Sequence, residues 1–400
     1  MEAFEEVLWK STAKGENIIA GAIVAVVDKK GNLVYKNVAG YNGVEEDAAP
    51  LEFDQTLAIA SCTKLITAIA ALQVVEKGFV TLDEPLDKHI PELASQPIIT
   101  AKENNTFELK SATKAITLRH LLTHSSGAVY DVFDPAIMSW RASRGETSNF
   151  PAPNQVVEEE SLMPRSFEAG EGWSYGTGLD WTGLLISRLT NTNFETHVQE
   201  HIAKPLGITS FTFHLFSKPE VEKKLVKMSN RNEDGTLGIG RTPYFPSTNV
   251  GEAAGHGLYA NVPDYTRVLA DLLKDEPVLL AKESVDQLFT PQFEQGSLPQ
   301  RALQANWQFS WGPPLGRSNE GVVPNFGLGG FINENHVKRE NFEKPAKTLT
   351  WSGLPNLLWS VNREKGLALM VAQQTSPWAD EKAWVFNNEF ETAVWRGLAK

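Results

Sequence analysis

The sequence has almost no cysteine, no long apolar run and no excess of basic residues. Its one cysteine, Cys62, cannot form an internal disulfide or a cysteine-based zinc site, which argues against a disulfide-stabilised secreted scaffold. No stretch reaches the ~18 apolar residues of a membrane span, and residues 1–14 lack the basic start and apolar run of a signal peptide. The 37 basic and 49 acidic residues give a net charge of -12, which repels nucleic acids and anionic membranes. We therefore predict a soluble, cytoplasmic protein that binds neither.

What is present is ample material for a large folded core, since 42% of the 400 residues are hydrophobic. Predicted strands cluster near the two ends of the chain, and predicted helices lie between them. The predicted strands cover residues 23–27, 33–38, 306–311, 326–332, 348–351, 357–361 and 367–372. The predicted helices cover 3–8, 61–77, 117–123, 179–190, 194–202, 264–273 and 382–398. No alternating strand pattern is found between 85 and 246.

This order predicts a mixed α/β fold of the α+β type. One antiparallel sheet is built from the N- and C-terminal segments and flanked by helices. The predicted sheet domain comprises residues 1–84 and 255–400, and residues 85–254 form a mostly helical insertion.

A serine three residues before a lysine on a helix places both side chains on one face, so the amine can take the hydroxyl proton. The pattern occurs at Ser11/Lys14, Ser61/Lys64 and Ser111/Lys114. Only Ser61 stands at the head of a long periodic helix, where free backbone N–H groups favour a developing oxyanion. The plain alternative is that Ser61 caps this helix and Lys64 is a solvated first-turn residue.

The residues around Ser61, Ile-Ala-Ser-Cys-Thr-Lys-Leu at 59–65, resemble the active-site helix of the class C β-lactamase and serine esterase superfamily. Further elements follow in the order of that family. They are residues 76–83, 116–127, Trp-Ser-Tyr-Gly-Thr-Gly-Leu-Asp at 173–180, Gly-His-Gly-Leu at 255–258 and Trp-Ser-Gly-Leu at 351–354. The closest resemblance is to fungal polyketide acyltransferases of the lovastatin acyltransferase type, and it spans nearly the whole chain.

The resemblance implies a β-lactamase/transpeptidase-like fold and a set of catalytic roles. Ser61 is the nucleophile, Lys64 and Tyr175 share its proton, and the backbone N–H groups of Ser61 and Leu354 form the oxyanion hole. Gly353 lets the strand that carries Leu354, expected at a sheet edge, approach closely. The expected substrate-binding residues are Trp351, Ser352, Gly353, His256, Trp173, Tyr130 and Thr177.

Two departures from lactamases bear on the substrate. Thr177 replaces the asparagine of Tyr-x-Asn, and Trp351 replaces the lysine that helps to hold a lactam carboxylate. We therefore expect ester or thioester chemistry, with acyl transfer to an alcohol of a secondary metabolite or to water. The alternatives are a plain carboxylesterase or weak β-lactam hydrolase and, from another class, a catalytically silent binding protein.

The expected partners are a small acyl donor and an alcohol acceptor, with a polyketide acyl carrier protein as one potential donor. A carrier would need a basic surface, and the sequence suggests Lys338, Arg339, Lys344 and Lys347, although such a run is more often a solvated loop. We predict no cofactor and no metal.

Three other signals compete with this interpretation. The Gly-x-Ser-x-Gly pattern at 172–176 makes Ser174 a rival nucleophile, but that motif requires a preceding buried strand. His120 and His124 lie one helical turn apart but lack a third metal ligand, so helix hydrogen bonding is the better interpretation. Cys62 is expected to be a small buried apolar residue.

Overall fold

The computed structural model describes residues 1–148, 150, 156–245 and 251–399. Its helices are α1 Glu2–Ser11, α2 Thr63–Glu76, α3 Pro91–Ala94, α4 Leu118–Leu122, α5 Pro135–Ser143, α6 Val157–Glu160, α7 Gly178–Thr190, α8 Phe194–Val198, α9 Lys204–Leu206, α10 Pro219–Glu222, α11 Val262–Asp271, α12 Lys282–Leu288, α13 Leu298–Ala305 and α14 Glu381–Gly397. Its strands are β1 Gly21–Asp28, β2 Leu33–Gly40, β3 Leu57–Ala58, β4 Ile98–Ala101, β5 Phe107–Lys110, β6 Ser229–Arg231, β7 Leu237–Ile239, β8 Tyr259–Ala260, β9 Pro324–Phe326, β10 Phe331–Asn333, β11 Val337–Arg339, β12 Phe342–Lys344, β13 Thr348–Gly353, β14 Leu357–Asn362, β15 Leu367–Ala372 and β16 Thr375–Ser376.

Seven strands form the central antiparallel sheet in the order β2-β1-β15-β14-β13-β10-β9. The N-terminal hairpin joins the C-terminal strands through β1 and β15, where Val24 pairs with Val371. Both chain ends therefore build one sheet, as the sequence predicts. The predicted domain boundaries at 84 and 254 stay a prediction.

Helices cover both faces of this sheet because successive strand residues point to opposite sides. On one face, Val24 and Val26 of β1 pack into the apolar cluster that includes residues of α1 and α14. On the other face, Ile23 and Ala25 join the main core, which contains α2 and α11. Burial of β1 on both faces explains why it reads as a continuous apolar run rather than an alternating one.

Helix α2 is the central helix of the main core, and its residues from Thr63 to Val74 are all buried. It packs against α7 and α8, and the short 3₁₀ turn Ala60–Cys62 leads into it. This turn also contacts β13. The sequence therefore places Ser61 where a buried helix and the central sheet meet.

Three of the predicted elements are wrong or incomplete. The predicted strand at 306–311 is a 3₁₀ turn, Trp307–Phe309, in which the Ser310 hydroxyl donates to the Asn306 carbonyl. The predicted strand at 326–332 is two strands, β9 and β10, joined by a turn. The region between 85 and 246 contains the hairpins β4–β5 and β6–β7, although no strand is predicted there. Among the described residues, no helix is both long and apolar enough to cross a membrane.

Candidate active site

Ser61 lies in the 3₁₀ turn immediately before α2, held against strand β13. Ala60 has a positive φ of 46°, a conformation uncommon for a residue with a side chain. A side chain at Gly353 would approach the Ile59 carbonyl oxygen to 2.5 Å. Glycine is therefore required for β13 to pack against the serine turn, whereas the close approach to an acyl carbonyl that the sequence suggests stays a prediction.

The strand that carries this contact is not at the edge of the sheet, contrary to expectation. Strand β13 pairs with β14 on one side, but on the other β10 pairs only with Thr348–Thr350. The half of β13 that contains Trp351 and Gly353 consequently has one unpaired side. That free side is available to the cleft in front of Ser61.

Lys64 is 1% exposed and every hydrogen bond it makes is to a neutral oxygen. Its Nζ lies 3.4 Å from Ser61 Oγ, 3.1 Å from the Tyr130 hydroxyl and 2.7 Å from the Gly255 carbonyl oxygen. The serine, lysine and phenol therefore form a continuous hydrogen-bonded chain, and the amine is within reach of the Ser61 proton.

Two tyrosines flank Lys64 in different ways. The Tyr130 hydroxyl accepts from Lys64 and donates to Asp180 Oδ2 at 3.3 Å. Tyr175 instead presents its ring to the amine, 4.6 Å from Nζ to the ring centroid, while its hydroxyl accepts from Trp351 Nε1 at 3.1 Å. The structure thus gives Tyr130 the hydrogen bond to Lys64 that the resemblance assigns to Tyr175.

Asp180 lies behind this chain, although it is not one of the site residues expected from the sequence. Its carboxylate accepts from the Gly255 N–H at 2.8 Å and lies 3.4 Å from His256 Nδ1. Burial raises the pKa of Asp180, but His256, Lys64 and the Gly255 hydrogen bond outweigh it and hold that pKa below its ordinary value. Burial, the Asp180 charge and Tyr175 raise the pKa of Tyr130 well above its usual value, so its phenol stays protonated.

The two residues whose backbone N–H groups are expected to form the oxyanion hole both line the cleft. Ser61 precedes α2, and Leu354 directly follows β13. Within the part of the chain that the structure describes, neither N–H donates a hydrogen bond. Both donors are therefore available to an acyl carbonyl oxygen at the cleft.

The cleft in front of Ser61 has a volume of about 600 Å³ and largely aromatic walls. Its described lining residues are Ala60, Ser61, Tyr130, Phe133, Phe150, Tyr175, Phe245, His256, Phe309, Ser310, Trp351, Ser352, Leu354 and Trp378. Five of the eight aromatic residues, namely Phe133, Phe150, Phe245, Phe309 and Trp378, are not among the site residues expected from the sequence. Each stands outside the recognised motifs, so only their position in the fold connects them to the site.

Of the seven expected substrate-binding residues, four line this cleft: Tyr130, His256, Trp351 and Ser352. Gly353 packs against the serine turn. Thr177 lines a smaller neighbouring cavity, which shares Tyr130 and His256 with the cleft. Trp173 does not line the cleft. It is buried, and its ring centroid lies 5.9 Å from that of Phe326.

The rival signals do not form a second reactive site within the described residues. Those immediately before Ser174 contain no strand, so the nucleophile elbow does not form. His120 accepts from the Thr117 N–H in a capping box, and His124 accepts from the Gly176 N–H. Burial raises the pKa of the Cys62 thiol. The described residues contain no cluster of three or more metal-ligating side chains.

The suggested basic surface for a carrier protein is wrong in one of its four residues. Lys344 is fully buried and paired with Glu391 at 3.1 Å. The Arg339 guanidinium donates to the backbone carbonyls of Leu315, Ser318 and Glu320. Lys338 and Lys347 are exposed, and Lys347 pairs with Glu364. Lys344 is therefore not available to a carrier, and docking on the other residues stays a prediction.

Comparison with known proteins agrees with this geometry. The family model described as Beta-lactamase matches residues 8–390, so the chain belongs to the beta-lactamase family. It is similar to monacolin J acid methylbutanoyltransferase of Aspergillus terreus, with 33% identity over 94% of this chain and 92% of that protein. Lovastatin esterase of Penicillium rubens is 35% identical over 87% of each chain.

Among solved structures, unliganded simvastatin synthase from Aspergillus terreus superposes with a TM-score of 0.87 and 30% identity, covering 100% of this chain and 98% of that one. The chain is accordingly an enzyme with the β-lactamase-like fold. Its activity is that of a serine acyltransferase or carboxylic ester hydrolase.

Proposed function

We propose that the protein forms an acyl-enzyme on Ser61 and passes the acyl group to an alcohol. The observation that carries this proposal is the arrangement around Ser61 Oγ. A buried amine lies 3.4 Å away, and two free backbone N–H groups border the same cleft. A proton acceptor and an oxyanion site are the two elements that serine acyl transfer requires.

In the first half of the reaction, Ser61 Oγ attacks the carbonyl carbon of an ester or thioester while Lys64 Nζ takes its proton. The N–H groups of Ser61 and Leu354 stabilise the resulting oxyanion. The bond to the leaving alcohol or thiol then breaks, which leaves an ester on Ser61. Tyr130 positions the amine by accepting its hydrogen bond, and the Tyr175 ring packs against it.

The shape of the cleft supports an apolar acyl chain or a polycyclic alcohol as substrate. Its walls are aromatic. By the resemblance, Trp351 stands where lactamases carry the lysine that helps to hold a carboxylate. The similar methylbutanoyltransferase is named for transfer to monacolin J acid, which supports an alcohol of a polyketide secondary metabolite as acceptor here. The donor thioester would come from a polyketide carrier protein or from a small molecule.

The composition supports a cytoplasmic location for this reaction. A single buried cysteine needs no oxidising compartment, and an intracellular location would give the enzyme access to thioester donors.

Mass-spectrometric mapping after brief reaction with a fluorophosphonate tests the nucleophile. Trypsin should place Ser61 in the peptide 37–64 and Ser174 in the peptide 166–188. We expect the label on Ser61 and its loss in Ser61→Ala, with Ser174→Ala as the matched control that keeps it. A label on Ser174, or none on the native enzyme, would contradict the proposal.

A second candidate is plain ester hydrolysis, which the similarity to lovastatin esterase favours. Product analysis with a short-chain thioester and a polycyclic alcohol separates the two. An ester of the alcohol is expected for the transferase, whereas free acid alone at saturating alcohol would indicate the hydrolase.

A further inference from the structure

His256 is a buried side chain of the cleft with Nδ1 beside the Asp180 carboxylate and, in the described part of the chain, no polar partner for Nε2. Its residue is 6% exposed, and neither ring nitrogen makes a hydrogen bond within the described part of the chain. Among the described residues that line the cleft, it is the only one with such an atom. Buried nitrogens in native proteins are nearly always paired, so an unpaired imidazole beside a nucleophile indicates a partner in the substrate.

The backbone around His256 is fixed by the same groups that hold the nucleophile. The Gly255 N–H donates to Asp180, and the Gly255 carbonyl accepts from Lys64 at 2.7 Å. A side chain at Gly255 would come within 2.4 Å of the Asp180 carboxylate, so only glycine permits this approach. The imidazole is thereby anchored one residue away from the partner of Lys64.

Asp180 also determines which nitrogen of His256 is free. Its Oδ1 lies 3.4 Å from Nδ1, and the carboxylate is ionised because its pKa is held below the ordinary value. A carboxylate beside Nδ1 favours the proton on that nitrogen and leaves a lone pair on Nε2. The other groups that face this pair are Lys64 and the protonated phenol of Tyr130. Nε2 is buried in the wall of the aromatic cleft, where its lone pair is an acceptor for the hydroxyl group of a bound substrate.

We propose that His256, oriented by Asp180, binds the hydroxyl of the acyl acceptor and removes its proton during transfer. This inference rests on the proposed acyl-enzyme on Ser61. The acceptor oxygen attacks the acyl carbon as its proton moves to Nε2. The bond between that carbon and Ser61 Oγ then breaks, and Oγ recovers from Lys64 the proton given up during acylation.

In the first turnover the departing alkoxide or thiolate takes its proton from water. In each later turnover it takes the proton that the previous transfer left on His256. Lys64 therefore serves the enzyme's own oxygen, and His256 serves the group that enters or leaves. Asp180 is a positioning residue because it acts through His256. From the second turnover on, this division restores both groups without an external acid or base.

A step-resolved experiment on His256→Ala and His256→Gln tests the inference. p-Nitrophenyl butyrate acylates the enzyme with a leaving group that is stable as an anion and needs no acid. Release of p-nitrophenolate measures acylation, and intact-mass spectrometry measures decay of the butyryl-enzyme in water and in benzyl alcohol. We expect the fold-loss in the rate of deacylation to be at least ~30 times the fold-loss in the rate of acylation, as loss of a general base predicts.

Two further variants separate chemistry from structure. Glutamine keeps a hydrogen-bonding group but cannot carry the proton, so it should share the alanine defect. Added imidazole should restore deacylation of His256→Ala by about fivefold or more, since it supplies the missing base. His214→Ala, in a pair with Glu252 outside the cleft lining, is the matched control and should leave both steps unchanged.

Equal losses of acylation and deacylation, or no rescue by imidazole, would overturn the role of His256. If His256→Ala does not fold, the glutamine variant decides by the same ratio. Failure of the proposed function looks different, because the native enzyme would then show no butyryl-Ser61 at all.

Discussion

Two buried lysines, Lys64 and Lys344, show how differently one side chain is used in the same protein. Both are almost completely inaccessible to solvent. Lys344 lies 3.1 Å from the Glu391 carboxylate and donates to the Thr350 hydroxyl at 3.4 Å. Among the residues that the structure describes, Lys64 has no carboxylate as a hydrogen-bond partner; its partners are a serine hydroxyl, a phenol and a carbonyl oxygen.

Lys344 and Glu391 form a structural ion pair, the Lys344 clamp. Glu391 of α14 also accepts from the indole of Trp395 in the same helix and from the hydroxyl of Ser360. The ion pair thus ties α14 to β12, and the Ser360 hydrogen bond ties it to β14 of the central sheet. Burial lowers the pKa of Lys344, and Glu391 opposes that shift. The carboxylate holds the amine of this lysine in place.

The difference indicates that the type of partner, rather than burial, distinguishes a reactive lysine from a structural one. Neutral oxygens hold the Lys64 amine in place without forming an ion pair with it. Asp180 lies one group further away, beyond Tyr130. Replacement of each lysine in turn should therefore separate loss of catalysis from loss of stability.

Replacement of Lys64 by methionine should give the largest effect. Loss of the proton acceptor should lower the rate of acylation by p-nitrophenyl butyrate by ~10³-fold, within the range for general bases. The free energy of unfolding should change by less than ~2 kcal/mol, because only neutral acceptors lose a partner. Stopped-flow acylation and urea unfolding measure the two quantities. A variant that keeps a tenth of native acylation would exclude Lys64 as the base.

Replacement of Lys344 by methionine should reverse this pattern. The unpaired Glu391 remains buried, which should lower the free energy of unfolding by about 3–5 kcal/mol. Acylation per folded molecule should stay within ~3-fold of native, because the clamp does not touch the cleft. The matched control is Lys344→Met with Glu391→Met, which should recover most of the loss in urea unfolding. A double variant as unstable as the single one would refute the clamp.

Replacement of Tyr130 by phenylalanine tests the link between Lys64 and Asp180. The variant removes one hydroxyl that bonds to both, so we expect kcat to fall ~10–100-fold with little change in KM. Tyr175→Phe is the matched comparison, since its hydroxyl bonds to Trp351 and not to Lys64. Steady-state ester hydrolysis gives both constants. A larger kcat loss in Tyr175→Phe would return the role of proton partner to Tyr175, as the resemblance implies.

Much of the fold could be predicted because its determinants are local. The apolar runs of β1, β13, β14 and β15 and the long helices α2 and α14 each show their period within one segment. The segment 306–311 misled because its alternating aromatic residues mimic a strand, whereas Ser310 bonds back to Asn306 in a turn. Short polar strands such as β6 and β7 give too weak a pattern to recognise.

The site divides in the same way. Ser61 and Lys64 are three residues apart, so their contact is encoded in the spacing. Tyr130 reaches Lys64 across 66 residues, and only the packed fold reveals that contact. Lys344 carries a sequence signal that contradicts its expected place on a basic surface. Successive side chains of a strand point to opposite faces, so Lys344 in β12 lies on the same face as buried Phe342 and opposite to Glu343. This alternation predicts that Lys344 points inward.

The ion pair of His214 and Glu252 tests the comparison with the smallest expected effect. This pair is only partly buried, and it takes no part in the proposed catalysis. The hydrogen bond from His214 Nε2 to Glu252, 2.9 Å long, raises the pKa of His214 above its usual 6.5 despite partial burial. Because the folded pKa is the higher one, this pair contributes fully below pH 6.5 and loses its contribution as pH rises through the folded value.

The native protein should therefore lose slightly more stability than Glu252→Gln between pH 5.5 and 8.5, by under ~1 kcal/mol because the pair is partly solvated. Urea unfolding at the two pH values measures the difference, and His214→Gln should give the same flattened profile. A difference of the opposite sign, or one as large as that expected for the Lys344 clamp, would show that exposure does not weaken ion pairs in this protein.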